Sequence, residues 1–291
     1  MVEDDAATRF APDHWVRSGA AELAVTVRGA GIPLLALHAG VCDRRSWQWC
    51  APVWEEAGLR TVAYDRRGFG HTRYSAEAYD SLADLRAVAE AMQAAPAVVV
   101  GSSMGGGLAV DLALAHPDEV LALILVGSLP SGAPGEAWEE SVEESAAAAA
   151  VSAASQSGDL DRLNRLEAHY WLDGPAQPEG RVTGPPRDLM VEMNRRALTA
   201  PPPGEDTARP PAWPRLGEVR APTLLVVGEY DETGLLPLTD MMAASLPDAR
   251  VHLLDGTAHC PMLDRPHDLS SVVLSFLDTV VIARQLRRPV R

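Results

Sequence analysis

The chain has 291 residues, a formal net charge of −15, and 40 acidic against 25 basic residues. That balance excludes nucleic-acid or anionic-membrane binding as a main role, since both need clustered positive charge. With 47% hydrophobic and 22% charged residues, the chain can bury a full core and is not a disordered polymer.

The start, Met1 to Asp5, is acidic and lacks a basic segment followed by an apolar one, and no stretch is long and apolar enough for a membrane span. The expectation is a cytoplasmic protein that does not engage a membrane. Cys42, Cys50 and Cys260 are too few and too irregular for a disulfide framework, and none has metal-type spacing, so no metal is expected.

Apolar runs rich in Val, Leu and Ile occur at Leu34 to Leu37, Leu59 to Tyr64, Ala97 to Val100 and Leu121 to Val126, bounded by Gly or Pro. Helix-compatible segments such as Ser81 to Ala94 and Gly107 to Ala115 separate them. Continuous rather than alternating apolar strands suggest burial on both faces of a parallel sheet, hence an open α/β fold. The pattern stops after Val126. Residues 134–165 read as an acidic, Ala-rich helical stretch with Glu136, Glu139, Glu140, Glu143 and Glu144 near its N-terminal end, where carboxylates favour the helix dipole. Residues 174–214 read as extended and proline-stiffened, with Pro201-Pro202-Pro203 and Pro210-Pro211. Strands return at Thr223 to Val227 and Arg250 to Leu254, and a final helix runs from His267 to about Ile282. The tail from Arg284 to Arg291 reads as solvated. The division this implies is a core of residues 1–128 and 216–291 with a helical, proline-rich cap inserted at 129–215.

Gly101-Ser102-Ser103-Met104-Gly105 is a G-x-S-x-G pattern between a predicted strand and a predicted helix. On such a turn the flanking glycines remove Cβ atoms that would collide, and the central hydroxyl projects above the strand ends beside the positive end of the helix dipole. Only Ser103 fits that register, because Ser102 would need glycine where Val100 stands. A serine hydroxyl needs a base and an orienting carboxylate. Asp231 follows the strand Thr223 to Val227, and His259 follows Arg250 to Leu254, in the chain order expected for this architecture. Glu229 is the alternative acid. Two N–H groups should hold the oxyanion: that of Met104, and that of Gly40 in His38-Ala39-Gly40, with Val41 as second choice. Trp47, Leu235 and Cys260 stand next to these elements, and Trp138 and Trp171 can face the pocket from the insertion, as can His169; such a lining suits an apolar or aromatic group. The net negative insertion disfavours a strongly anionic substrate.

The chain resembles the α/β-hydrolase family, in its esterase, enol-lactonase and haloperoxidase-like branch. The resemblance rests on Leu37-His38-Ala39-Gly40 with Trp47 downstream, Tyr64-Asp65-Arg66-Arg67-Gly68-Phe69-Gly70, the serine turn, Ala115-His116-Pro117-Asp118-Glu119-Val120, and the Asp231 and His259 turns. Many relatives carry His-Gly in place of His38-Ala39, and His or Gln in place of Ser102. Serine at 103 separates the chain from members with a carboxylate nucleophile. The resemblance implies a mostly parallel sheet flanked by helices with an inserted helical cap. It also implies a cofactor-free serine hydrolase cleaving a carboxylic ester or lactone through an acyl-enzyme, its partner being a small ester-like molecule. The same residues would serve a thioesterase, a C–C bond hydrolase or an acyltransferase; a non-catalytic ligand-binding protein on the same scaffold is the alternative class. Asp65, Arg67 and the glycines of Tyr64 to Gly70 read as loop bracing.

Overall fold

A computed structural model describes residues 10–135 and 138–285, with side chains to 280. The acidic start, Glu136 and the side chains of the arginine-rich tail lie outside the described residues. Eight strands form one sheet: β1 (His14–Ser18), β2 (Ala21–Gly29), β3 (Ile32–Leu37), β4 (Leu59–Tyr64), β5 (Ala97–Ser102), β6 (Val120–Val126), β7 (Thr223–Gly228) and β8 (Ala249–Leu254), in the order β1-β2-β4-β3-β5-β6-β7-β8. β3 to β8 pair in parallel, while β1 with β2 and β2 with β4 are antiparallel.

The helices, in chain order, are α1 (Ala51–Glu56), α2 (Ser81–Ala91), α3 (Met104–Ala115), α4 (Val142–Ser157), α5 (Leu160–Ala168), α6 (Pro185–Thr199), α7 (Leu235–Ser245), α8 (Pro261–Asp264) and α9 (Pro266–Gln285). Alternate residues of the central strands enter opposite cores. Leu34, Ala36, Val98, Val100, Ile124 and Val126 pack on one face with α1, α8 and α9. Leu35, Leu37, Val99, Leu123 and Leu125 pack on the other with α2 and α3. Burial on both sides explains why these strands read as continuous apolar runs.

Three expectations need correction. β1 and β2 were not foreseen, because Glu22, Thr26 and Arg28 interrupt the apolar run in the antiparallel strand that lies near the sheet edge. The helix expected from residue 134 starts only at Val142, where Ser141 and Glu144 form a reciprocal capping box. The segment expected to be extended contains α6, whose Pro185 and Pro186 occupy the first turn, where no N–H is required. Among the described residues no helix is long and apolar enough to cross a membrane.

The stretch between β6 and β7 is tied to the core by side-chain contacts, among them three around the strand ends. Glu144 Oε1 accepts hydrogen bonds from the N–H and Oγ1 of Thr233, both at 2.7 Å. Arg181 donates to Gly256 O at 3.0 Å and Asp264 Oδ2 at 2.8 Å. Arg45 donates to Glu192 Oε1 at 3.0 Å.

Candidate active site

Ser103 stands alone between β5 and α3, with φ 51° and ψ −119°, a left-handed conformation that side chains rarely adopt. The surrounding packing enforces it. A Cβ on Gly101 would lie 2.5 Å from Gly105 O, and one on Gly105 would lie 2.4 Å from Leu37 O and 2.7 Å from His38 O. The strand, the helix and the end of β3 are therefore in backbone contact. Ser103 N–H donates to Val126 O at 2.9 Å, and the Ser128 hydroxyl donates to Ser103 O at 2.7 Å, clamping the turn from both sides.

Asp231 and His259, on the loops after β7 and β8, meet: His259 Nδ1–H donates to Asp231 Oδ1 at 3.0 Å and Oδ2 at 2.9 Å. Asp231 Oδ1 also accepts the Glu232 N–H at 2.9 Å. Burial would pull the imidazole pKa down, but the charge and hydrogen bond of Asp231 outweigh it and lift the pKa to about 9. Gly127, which directly follows the Val126 that accepts the Ser103 N–H, stands against this pair. A Cβ on Gly127 would lie 3.0 Å from His259 Nδ1 and 3.1 Å from Asp231 Oδ2. Among the described residues Ser103 Oγ has no hydrogen-bond partner, and His259 Nε2 is not bonded to it. Glu229, the alternative acid, instead accepts the Gly256 N–H at 2.8 Å and braces the histidine loop.

The turn after β3 lies against the serine turn: a Cβ on Gly40 would be 2.7 Å from Met104 Cε. Among the described residues the N–H groups of Gly40 and Val41 have no acceptor, and that of Met104 opens α3, where helical partners are lacking. His38 braces this turn from beneath. It donates from Nδ1 to Ala39 O at 2.7 Å and accepts the Arg66 N–H at Nε2, 3.2 Å. Burial, then Arg66, hold its pKa at about 3, so the ring is neutral.

Trp171 lies over His259, with ring centroids 4.6 Å apart, on a π-helical turn, His169–Asp173. Trp138 packs on Gly234, close to the Asp231 loop. His169 is engaged inside the insertion with Gln177 O at 2.8 Å. Three expected lining residues have almost no free surface. Trp47 is enclosed with Trp54 in the core, their ring centroids 5.7 Å apart. Leu235 and Cys260 are likewise buried, and the Cys260 thiol is raised well above its usual pKa by its contact with Cys42 and by burial. A large apolar side chain beside a catalytic turn fills the core as readily as a pocket, so sequence proximity does not separate the two.

Sequence reasoning missed Tyr170 and Glu232, whose hydroxyl and carboxylate bond at 2.7 Å next to the pair. It also missed Gly127; the only signal was a glycine directly after a buried strand. Among the described residues no cluster of His, Cys, Asp or Glu is arranged to hold a metal ion.

The sequence model of the Alpha/beta hydrolase family matches residues 34–272. The chain is similar to a pimeloyl-acyl-carrier-protein methyl ester esterase of Chromobacterium violaceum, 29% identical over 215 residues, covering 69% of this chain and 76% of the relative. It is also similar to a 2-hydroxymuconate semialdehyde hydrolase of Pseudomonas putida, 25% identical over 265 residues, covering 86% and 88%. Its fold matches an esterase from Exiguobacterium antarcticum with a TM-score of 0.72 at 18% identity, covering 91% of this chain and 99% of that one. With a family match over most of its length and that family's sheet order, serine turn and loop placement, the chain belongs to the alpha/beta hydrolase family.

Proposed function

We propose that the protein is a serine hydrolase that cleaves a carboxylic ester or lactone through an acyl-enzyme. The observation that carries this reading is Ser103, held in a left-handed turn and linked across Gly127 to the buried His259–Asp231 pair. Ser103 Oγ attacks the carbonyl while His259 Nε2 takes its proton, and Asp231 stabilises the imidazolium. The N–H groups of Met104 and Gly40 receive the oxyanion. His259 returns the proton to the leaving group, then activates water to release the acid. Catalytic hydrogen bonds that are open in the free enzyme close around the substrate.

Residues 129–215 act as a cap over the strand ends, supported by the Glu144, Arg181 and Arg45 contacts with the core. Trp171 over the base and the half-exposed Met104 favour an apolar or aromatic acyl group on a small-molecule substrate. A second reading, hydrolysis of a C–C bond by the same residues, is favoured by the similarity to the semialdehyde hydrolase. A fluorophosphonate probe is expected to label the protein, with labelling lost in Ser103→Ala and His259→Ala. Labelling unchanged in Ser103→Ala would refute the nucleophile. Turnover of p-nitrophenyl esters against that of cleavable diketones separates the two bond types.

A further inference from the structure

Beside the serine turn, between the loop after β4 and the first turns of α3, lies a cavity of about 310 Å³. Tyr64 Oη, Arg66 Nε and Arg209 Nε are buried with no hydrogen-bond partner among the described residues, and all three residues line this cavity. A buried polar atom without a partner costs free energy, so a ligand whose acceptor atoms settled against this wall and drew these groups to it would recover that cost.

The charges of the wall are unevenly matched. Arg67 pairs with Asp84 at 2.8 Å and Glu77 at 2.6 Å. Arg209 pairs with Asp80 at 2.7 Å and stands 3.5 Å from Asp206 and 3.6 Å from Asp111. Arg66 differs: among the described residues no carboxylate lies within ion-pair distance of it. Its guanidinium donates to His38 O at 3.0 Å and lies over the Phe69 ring, 5.2 Å from the centroid. Burial pulls its pKa below the ordinary arginine value, against the weaker pull of Tyr64, Tyr79 and Asp206. A guanidinium nevertheless stays charged, which leaves a half-buried cation with no carboxylate at ion-pair distance among the described residues.

We propose that this cavity is a subsite for a single carboxylate carried by the substrate, with Arg66 as its counter-ion and Tyr64 Oη and Arg209 Nε as further donors. Met104, on the cavity wall, is the residue after Ser103, so the subsite lies within reach of an ester held at the serine. The proposal therefore rests on the serine-hydrolase reading. Asp84, Asp111 and Asp206 share the wall and oppose a doubly charged phosphate. The planar, singly charged carboxylate matches the guanidinium fork. One such charge is compatible with the acidic insertion.

The test compares mono-p-nitrophenyl glutarate with p-nitrophenyl butyrate in wild type, Arg66→Gln and Tyr64→Phe, and measures the thermal shift that glutarate gives in Ser103→Ala. Wild type is expected to prefer the half-ester in kcat/KM. The preference should fall by about tenfold or more in Arg66→Gln and by about threefold in Tyr64→Phe. Glutarate should raise the melting temperature of Ser103→Ala but not of Ser103→Ala/Arg66→Gln. An equal loss on both esters in Arg66→Gln would make Arg66 a brace for His38 and overturn the subsite, as would the absence of any glutarate shift. Should Arg66→Gln fail to fold, an unchanged preference in Tyr64→Phe overturns it. Ester turnover without a half-ester preference refutes the subsite alone. An Arg66-dependent glutarate shift without ester turnover supports the subsite and refutes the reaction.

Discussion

The His259–Asp231 pair sets the pH response. In the proposed reaction His259 must be neutral to accept the Ser103 proton, so with its pKa lifted to about 9, kcat/KM is expected to rise along a limb centred near that value rather than near 6.5. Asp231→Asn removes the largest lifting charge and leaves burial opposed only by Cys260 and Glu232, so the limb moves to lower pH while activity falls by about 10³–10⁴-fold. Ester hydrolysis across about pH 6 to 10 checks both, and a limb unmoved by the substitution would assign the titration to another group. Gly127 is the second sensitive residue. Its φ of +53° is left-handed, and an alanine there would push a methyl into the 3.0 Å space beside His259 Nδ1. Gly127→Ala is expected to cost about 1–2 kcal/mol of stability through backbone strain and to lower kcat by at least about tenfold by displacing the pair. Melts and kinetics on the same preparation separate the two effects.

Helix α4 is tied to the loop after β7 by its first turn. Glu144 closes the capping box, its Oε2 accepting the Ser141 N–H at 2.7 Å, while its other oxygen holds Thr233, two residues beyond Asp231. Burial raises the Glu144 pKa, but the hydrogen bonds from Ser141 and Thr233 outweigh it and hold the carboxyl below its ordinary value. The sign follows: this contribution is present above the unfolded-state pKa and is lost as pH falls through the lower folded-state value. Glu144→Ala removes both links and is expected to cost about 1–2 kcal/mol and to lower kcat through the Asp231 loop, as thermal melts and ester turnover would register. Glu144→Gln should retain part of both. A loss of stability with kcat intact would make α4 a bystander to the chemistry. The central strands behave differently. Val99 and Val100 point to opposite cores, so they tolerate no polar side on either face.

For the molecule as a whole, activity and stability are expected to move in opposite directions over one pH window. The His259 pKa is raised in the folded state, so the pair's contribution to stability is complete below about 6.5 and is lost as pH rises through about 9. The melting-temperature gap between wild type and Asp231→Asn should therefore narrow across that interval, while wild-type turnover climbs; a gap that is constant with pH would deny the shift. The sequence was informative wherever a local cause sufficed. Strands buried on both faces announced β3 to β7, Gly101 and Gly105 around Ser103 announced the sharp turn, and the positions after β7 and β8 announced Asp231 and His259. It was silent where the cause was a distant neighbour. β2 is a strand because β4 pairs with it, α6 begins at two prolines that need no donor, and Trp47 is core because Trp54 encloses it. By itself the chain determined its periodicity, its turns and the identity of its reactive groups, since these depend on residues a few positions apart. Only the tertiary structure decided that Gly127 would stand against the His259–Asp231 pair directly after the residue that holds Ser103, and that Arg66 would line a cavity with no carboxylate at ion-pair distance among the described residues, because packing and charge balance are properties of space rather than of order along the chain.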